Sequence, residues 1–415
     1  MSIKHSLVRG AALKAPLPAV FWWLFAGTLL NRLGILVPSF LSLFLAAESH
    51  TPATTIGVLV GVWGTGSVLG ALGGGALADR TGPRGAIVTS QALALVACAA
   101  LAGVHAPQAL GAAAFLAGCA STVHKPAGAV IVARTIKESE HVRAFGLLYW
   151  ASNIGAAVSP SVSGFLLESS GYWLIALNVI TATAYATIAF RLPGAQPSTA
   201  GVTAAKGPES LSGLVAPFRT PATARFLLLS FCLAAIYLQK QSALALDMQA
   251  HGLTPHTYGL VISLNGFLII AAQPLVSRWA RRLNVDTQFL LAAALVAVGF
   301  GANAVAGQPW TYAAALVVWT AGEILLVPQA SAFLVRHAPQ GRTGSYQGAY
   351  HFVWNLGLVL GAPIGVTVLH TWGSVTLWTG ALALGLSVAA VHTVSSLRDR
   401  RRRTVPPGAS GEFRA

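Results

Sequence analysis

Four ionisable side chains stand deep inside long apolar runs of this chain: Arg32, Lys125, Lys240 and Glu323. A charge at the centre of a bilayer costs about 2.5–3.5 kcal/mol on insertion scales, so each is expected to face protein or water rather than lipid. Glu323, in Gly322-Glu323-Ile324, is the only acid at mid-run depth. Two chemistries are open to it. It can alternate between a protonated form and a form paired with Lys240, Lys125 or Arg32, which would couple proton movement to a change of shape. It can equally be a permanent ion pair or a helix-packing hydrogen bond. Arg32 and Lys125 leave a basic excess in the first half of the chain. They either bind backbone carbonyls or face a substrate, and in the second case the substrate is anionic or amphoteric. His124 and His351 are candidates for proton relay or for plain packing. Asp247 closes its run near the outer surface as a gate or cap contact. Asn153 and Asn355 follow Trp150 and Trp354 and can bond substrate or a neighbouring helix. Tyr237, like Trp22, Trp23, Trp63 and Tyr149, lines a cavity or marks an interface.

The elements that must carry these residues follow from composition. The 415 residues include 26 basic and 11 acidic side chains and are 55% hydrophobic. Soluble chains are about a quarter charged; this one is 9% charged. Disorder is excluded by the same hydrophobicity. Crossing a hydrocarbon core of about 30 Å needs about 20 apolar residues in a helix. Twelve runs qualify: 18–47, 55–78, 85–105, 108–134, 144–168, 172–190, 225–247, 256–277, 286–306, 310–335, 344–370 and 373–396. They are too long for strands and lack the alternation of a membrane barrel. The first run has no convincing cleavage site and reads as an uncleaved helix rather than a signal peptide. Cys98, Cys119 and Cys232 are widely separated in apolar runs and form no metal or disulfide pattern.

The net charge of +15 at first invites a nucleic-acid partner. The positions of the basic residues remove that reading. Arg80 and Arg84, Arg134, Lys137 and Arg143, Arg278 and Arg282, Arg336 and Arg342, and the cluster from Arg398 to Arg403 all fall in alternate breaks. The intervening breaks at 48–54, 106–107, 169–171, 248–255, 307–309 and 371–372 contain no Lys or Arg. Short cytoplasmic loops retain basic residues, so both termini are expected inside. The Pro-, Gly- and Ser-rich break reads as a linker. The expected organisation is a six-helix bundle over 1–191, a linker over 192–224, a second bundle over 225–397 and a basic tail over 398–415. At a constant offset of 202 residues, Gly57 falls on Gly259, Pro126 on Pro328, Gly146 on Gly348, Asn153 on Asn355 and Gly155 on Gly357. The same bundle is therefore expected twice, with a site between the copies near the midplane.

Two motifs point further. Gly75-Ala-Leu-Ala-Asp79-Arg80-Thr-Gly82-Pro-Arg84 lies in the break after the second run. Gly75 would permit close helix contact, Gly82 a tight turn, and Asp79 hydrogen bonds from a neighbouring helix N-terminus. The string resembles the GxLADRxGRR signature of the major facilitator superfamily. In the fifth run, Gly146, Gly155, Ser159-Pro160 and Ser163-Gly164 are spaced like the GxxxxxxxxGxxxGPxxGG motif of that superfamily's drug:proton antiporter branch, with Ser at two glycine positions. Gly348, Gly357, Gly361 and Pro363 echo the pattern in the eleventh run, so part of it is architecture shared by both halves. The branch's fourth-helix arginine is absent, with Ala114 at its position. Its role in proton coupling does not carry over.

The resemblance implies an all-α integral membrane protein of twelve helices in two pseudo-symmetric six-helix bundles. Runs one, four, seven and ten would line the cavity, which places Arg32, Lys125, Lys240 and Glu323 there. It implies a proton-coupled monomer that exports small organic molecules, such as drugs or antibiotics, by alternating access. The setting would be the bacterial cytoplasmic membrane, with small-molecule cargo, protons and the bilayer as partners and no cofactor or metal. Uptake of a small organic anion or nutrient by proton symport is the alternative. A membrane-embedded sensor or enzyme is more remote, since the sequence has no GxxxxGK[ST], HExxH or paired carboxylates in one run.

Overall fold

The computed structural model describes residues 17–34, 38–47, 51–104, 106–137, 140–193, 216–280, 282–339 and 343–404, and these contain no strand. The helices are α1 (Ala19–Gly34), α2 (Pro38–Ala47), α3 (Ala53–Gly103), α4 (Pro107–Val123), α5 (Lys125–Thr135), α6 (His141–Ser169) and α7 (Gly171–Ala189). The second half of the chain continues with α8 (Pro221–Tyr237), α9 (Ala243–Ala250), α10 (Pro255–Ala280), α11 (Val285–Gly301), α12 (Pro309–His337) and α13 (Thr343–Thr404). Each expected apolar run falls on helix among the described residues. Eight helical spans among those residues are long and apolar enough to cross a membrane, and the last, Gly348–Leu397, turns back within its 50 residues. The expected first, fifth and tenth runs are helix as well, in α1 with α2, α6 and α12.

Two sharp turns rest on glycine. Gly82 divides α3 at φ 75° and Gly373 divides α13 at φ 84°. A side chain at positive φ would clash with its own backbone, so glycine is the residue that lets two rods join without a loop. Pro83 then starts the next rod, where its missing N–H costs nothing. Arg84 ties this turn to the end of α7, donating from Nε and Nη2 to the Leu192 carbonyl at 3.0 and 2.6 Å. The expectation for Gly75 needs correction: a methyl group there would meet nothing within 4 Å. The close crossing belongs to its neighbour Gly74, which lies against Val123. The Asp79 side chain and the surroundings of Gly146 lie outside the described residues, as do the side chains of the tail cluster from Arg398 onward.

The contacts between the first and second halves of the chain repeat at the 202-residue offset. Gly57 packs on Ala362 and Pro363 while Gly259 packs on Pro160 and Ser161. Gly64 packs on Val359 and Gly266 on Ala157. Within each half, Gly155 meets Arg32 and its equivalent Gly357 meets Ala234. Small residues recur where backbones cross because dispersion, rather than hydrophobic burial, holds helices together in lipid. One large apolar cluster runs through both halves, from Phe40 and Trp63 to Trp319 and Trp378. A second, smaller one joins Phe21, Ile87, Ile131 and Tyr185 in the first half.

Candidate functional site

Glu323 sits at the centre of a polar network in the second half of the chain. Thr320 and Glu323 are three residues apart on α12, which puts them on one face. Asn265 on α10 reaches both, donating from Nδ2 to Glu323 Oε2 at 2.8 Å and to Thr320 Oγ1 at 3.0 Å. Tyr237 donates its hydroxyl to Glu323 Oε1, and Lys240 Nζ donates to the Tyr237 oxygen. Lys240 Nζ stands 4.0 Å from Glu323 Oε1, with only 15% and 17% of the two side chains exposed. The ammonium also lies 3.9 Å from the Tyr237 ring centroid and 5.1 Å from that of Trp319, an additional electrostatic attraction. A nearly buried carboxylate is thus met by two hydrogen-bond donors, from α8 and α10, and by the Lys240 ammonium 4.0 Å away.

Lys240 reaches this position because its helix is broken. α8 ends at Tyr237, a 3₁₀ turn covers Leu238–Gln241, and α9 begins at Ala243. Backbone groups released by such a break must be satisfied inside the protein. Tyr258 donates its hydroxyl to the Lys240 carbonyl at 2.8 Å. Gln239 donates from Nε2 to the carbonyls of Ala235 and Gly361 at 3.0 and 2.7 Å, and Ser242 Oγ donates to its Oε1 at 3.2 Å.

The other two membrane-depth cations occupy a separate place. A cavity of about 450 Å³ is lined by Arg32 from α1, His124 and Lys125 at the α4–α5 junction, Tyr149 and Ser152 from α6, and Tyr185 from α7. Pro126 follows the junction, and its ring removes the donor that would continue the helix. His124 is held in place by Asn31 Nδ2 at 3.2 Å from Nε2 and by Ser90 Oγ at 3.3 Å from Nδ1. Among the described residues no carboxylate lies within ion-pair distance of Arg32 or Lys125.

Of the residues singled out from the sequence, Tyr237, Lys240 and Glu323 therefore come together, and Arg32 and Lys125 do not join them. Among the described residues Asn153 and Asn355 bond neither a neighbouring helix nor each other: each donates to its own helix four residues back, at 2.8 Å to the Tyr149 and His351 carbonyls. In the fifth-run motif, Ser159 Oγ donates to the Leu33 carbonyl at 3.0 Å, Pro160 meets Gly259, and Gly164 meets Pro255. That motif is a packing surface against α1 and α10. Asp247 is not a hydrated gate: it is fully buried. Its Oδ2 accepts from Tyr312 at 2.9 Å and from the Trp378 indole at 3.0 Å, and Oδ1 faces His251 Nδ1 at 3.6 Å. Asn265 and Thr320 were missed by sequence reasoning. Their signal was present, as an amide and a hydroxyl inside otherwise apolar runs, but nothing in one sequence says which helix faces they share.

The Major Facilitator Superfamily model matches residues 24–361 and 241–414. The chain belongs to the major facilitator superfamily. It is a membrane transporter of that superfamily rather than an enzyme. Among characterised and uncharacterised relatives, it is 27% identical over 358 residues to the uncharacterized MFS-type transporter YttB of Bacillus subtilis, covering 84% of this chain and 87% of that one. It is 23% identical over 297 residues to the multidrug resistance protein MdtH of Citrobacter koseri, covering 70% and 71%. It is 22% identical over 339 residues to a Na(+), Li(+), K(+)/H(+) antiporter of Planococcus maritimus, covering 74% and 79%. The fold of this superfamily member matches the crystal structure of the nucleoside transporter NupG with a TM-score of 0.72, at 14% identity over 94% of this chain and 100% of that one.

Proposed function

We propose that this transporter is a proton-coupled exporter of small organic molecules, with Glu323 as the coupling acid. The observation that carries the reading is the Glu323 network: a carboxylate at mid-span depth, 4.0 Å from Lys240 and bonded by Tyr237 and Asn265. Protonating Glu323 removes the negative charge that Lys240, Tyr237 and Asn265 surround, so the hydrogen bonds joining α8, α10 and α12 must rearrange. A buried ion pair that loses one charge is strongly destabilised, which gives a proton the leverage to shift a two-state equilibrium. The MdtH and antiporter relatives support export and proton exchange.

The halves, 1–191 and 225–397 about a linker over 192–224, would rock around a site between them in the bacterial cytoplasmic membrane, with both termini inside. With the topology read from the arginines, contacts between halves among the described residues include pairs at the outer ends. Phe40 meets Tyr258 at 5.6 Å, and His256 stands 3.8 Å from Glu168. Phe145 and Tyr149, nearer the inner end, face the cavity. This arrangement corresponds to a conformation closed outside and able to load cargo from the cytoplasm.

The test uses inverted membrane vesicles with an imposed pH gradient. Accumulation of a cargo drawn from a panel of lipophilic and acidic compounds is expected to stop with a protonophore and to persist without ATP. Glu323→Gln is expected to abolish it; transport at the wild-type rate with an unchanged pH dependence removes Glu323 from the coupling role. Uptake by symport is the second reading, favoured by the basic cavity and by Ala114 in place of the fourth-helix arginine. The direction of cargo movement in the same vesicles separates the two.

A further inference from the structure

We infer that the cavity holding Arg32 and Lys125 is the subsite for the anionic group of its cargo, so that this transporter handles organic acids or amphoteric molecules rather than simple lipophilic cations. The inference rests on the reading of the chain as a transporter with its cargo site between the helices. It starts from an asymmetry. Lys240 has an acid of its own chain at 4.0 Å, whereas Arg32 and Lys125 share one cavity wall with no carboxylate in ion-pair distance among the described residues. Cations at membrane depth are found with a counter-charge or facing an aqueous path that serves one. Among the described residues nothing supplies that negative charge, and the inference assigns it to the cargo.

The rest of the wall fits an acid with an apolar body. The volume of about 450 Å³ lies in the range of small-molecule sites. Arg32 presents a planar fork that matches two oxygens of one carboxylate, while Lys125 supplies a compact charge. The Tyr149 and Ser152 hydroxyls stand in the same wall, and Leu24, Phe145 and Leu148 offer apolar contact. His124 already engages Asn31 and Ser90 and serves to hold the junction that displays Lys125. A lipophilic cation entering this wall would meet two like charges.

The experiment compares three probes of one shape, 4-phenylbutyrate, 4-phenylbutylamine and 4-phenylbutanol, on the detergent-purified full chain in low-chloride buffer. Binding is read by tryptophan fluorescence and by thermal stabilisation. The acid is expected to bind about tenfold or more tightly than the other two, a difference of about 1.4 kcal/mol. Lys125→Gln and Arg32→Gln should erase that preference, and Lys125→Arg and Arg32→Lys should retain much of it; size-exclusion profiles establish that all four variants are folded. Equal response to acid and alcohol, no response to the acid, or a preference that survives both charge-removing variants overturns the inference. Proteoliposome flux separates this from the proposed function. Acid-selective binding without proton-dependent flux defeats the coupled-export reading alone, and proton-driven flux indifferent to cargo charge defeats the subsite alone.

Discussion

In the second half of the chain, Lys240 and Glu323 answer one another at 4.0 Å, and Tyr237 and Asn265 complete the shell around the carboxylate. In the first half, Arg32 and Lys125 line a cavity with no acid of the described chain in reach. Both regions place cations beside a helix interruption: the 3₁₀ turn Leu238–Gln241 in one, the His124 junction before Pro126 in the other. The same architectural device thus serves two electrostatic ends. A charge satisfied by its own protein stabilises one conformation, which the proposed coupling would let a proton switch. An unsatisfied one leaves room for a ligand to supply the missing partner.

The sharpest way to break this contrast is to remove one member from each region. Glu323→Ala removes the acid 4.0 Å from Lys240 and the acceptor of Tyr237 and Asn265, and is expected to cost about 3–5 kcal/mol, the range for breaking a buried pair. Lys125→Ala strands nothing and should stay within about 0.5 kcal/mol, as for substitutions away from packed or paired features. Thermal unfolding of the purified proteins measures both, and equal losses would erase the distinction. Asp247→Ala comes next. It leaves the Trp378 indole without its acceptor and the Tyr312 hydroxyl with only His251 Nδ1 at 3.1 Å, at about 1–3 kcal/mol for a buried donor left unpaired. A silent substitution there would mean that the contact of α9 with α12 and α13 around Asp247 is held by apolar packing alone. Asn265→Ala removes one donor to Glu323 and is expected to cost about 1–3 kcal/mol, provided that Thr320 and Glu323 find no replacement. If its transport defect exceeds its stability defect, Asn265 positions Glu323 for coupling. The smallest effect belongs to Asn153→Ala and Asn355→Ala, whose amides only bond their own helices. Each should change stability by less than about 0.5 kcal/mol and leave binding of the acid probe intact; a lost acid preference in Asn153→Ala would extend the subsite along α6.

Much of this site is legible in the sequence alone. A charge inside an apolar run is conspicuous because nothing else in the run resembles it, so Arg32, Lys125, Lys240 and Glu323 stand out without knowledge of the fold. The 202-residue repeat was also legible, since Gly57 and Gly259 or Gly155 and Gly357 keep their spacing whatever surrounds them. Gly82 and Pro83 declared a turn. Other features were out of reach. Choosing Gly74 over Gly75 as the close crossing requires the rotation of one helix against Val123, a matter of about 100° per residue. The break after Tyr237 has no proline or glycine to announce it; it is held open by a local Ser242–Gln239 bond, by Tyr258 on the Lys240 carbonyl and by Gln239 reaching the Gly361 carbonyl 122 residues away. Asp247 looked like a surface acid because it ends a run, yet α12 and α13 fold over it.

The sequence by itself determined that this protein lies in a membrane, where its helices run, and which few side chains carry charge into the apolar interior. These are properties of composition along a line, and hydrophobicity acts residue by residue. Only the tertiary structure decided which cation meets the acid. Arg32, Lys125 and Lys240 were equivalent candidates for Glu323 until α8, α10 and α12 packed together. Coulomb energy depends on separation and on what lies between, and residues far apart in the chain acquire a separation only when the helices are assembled.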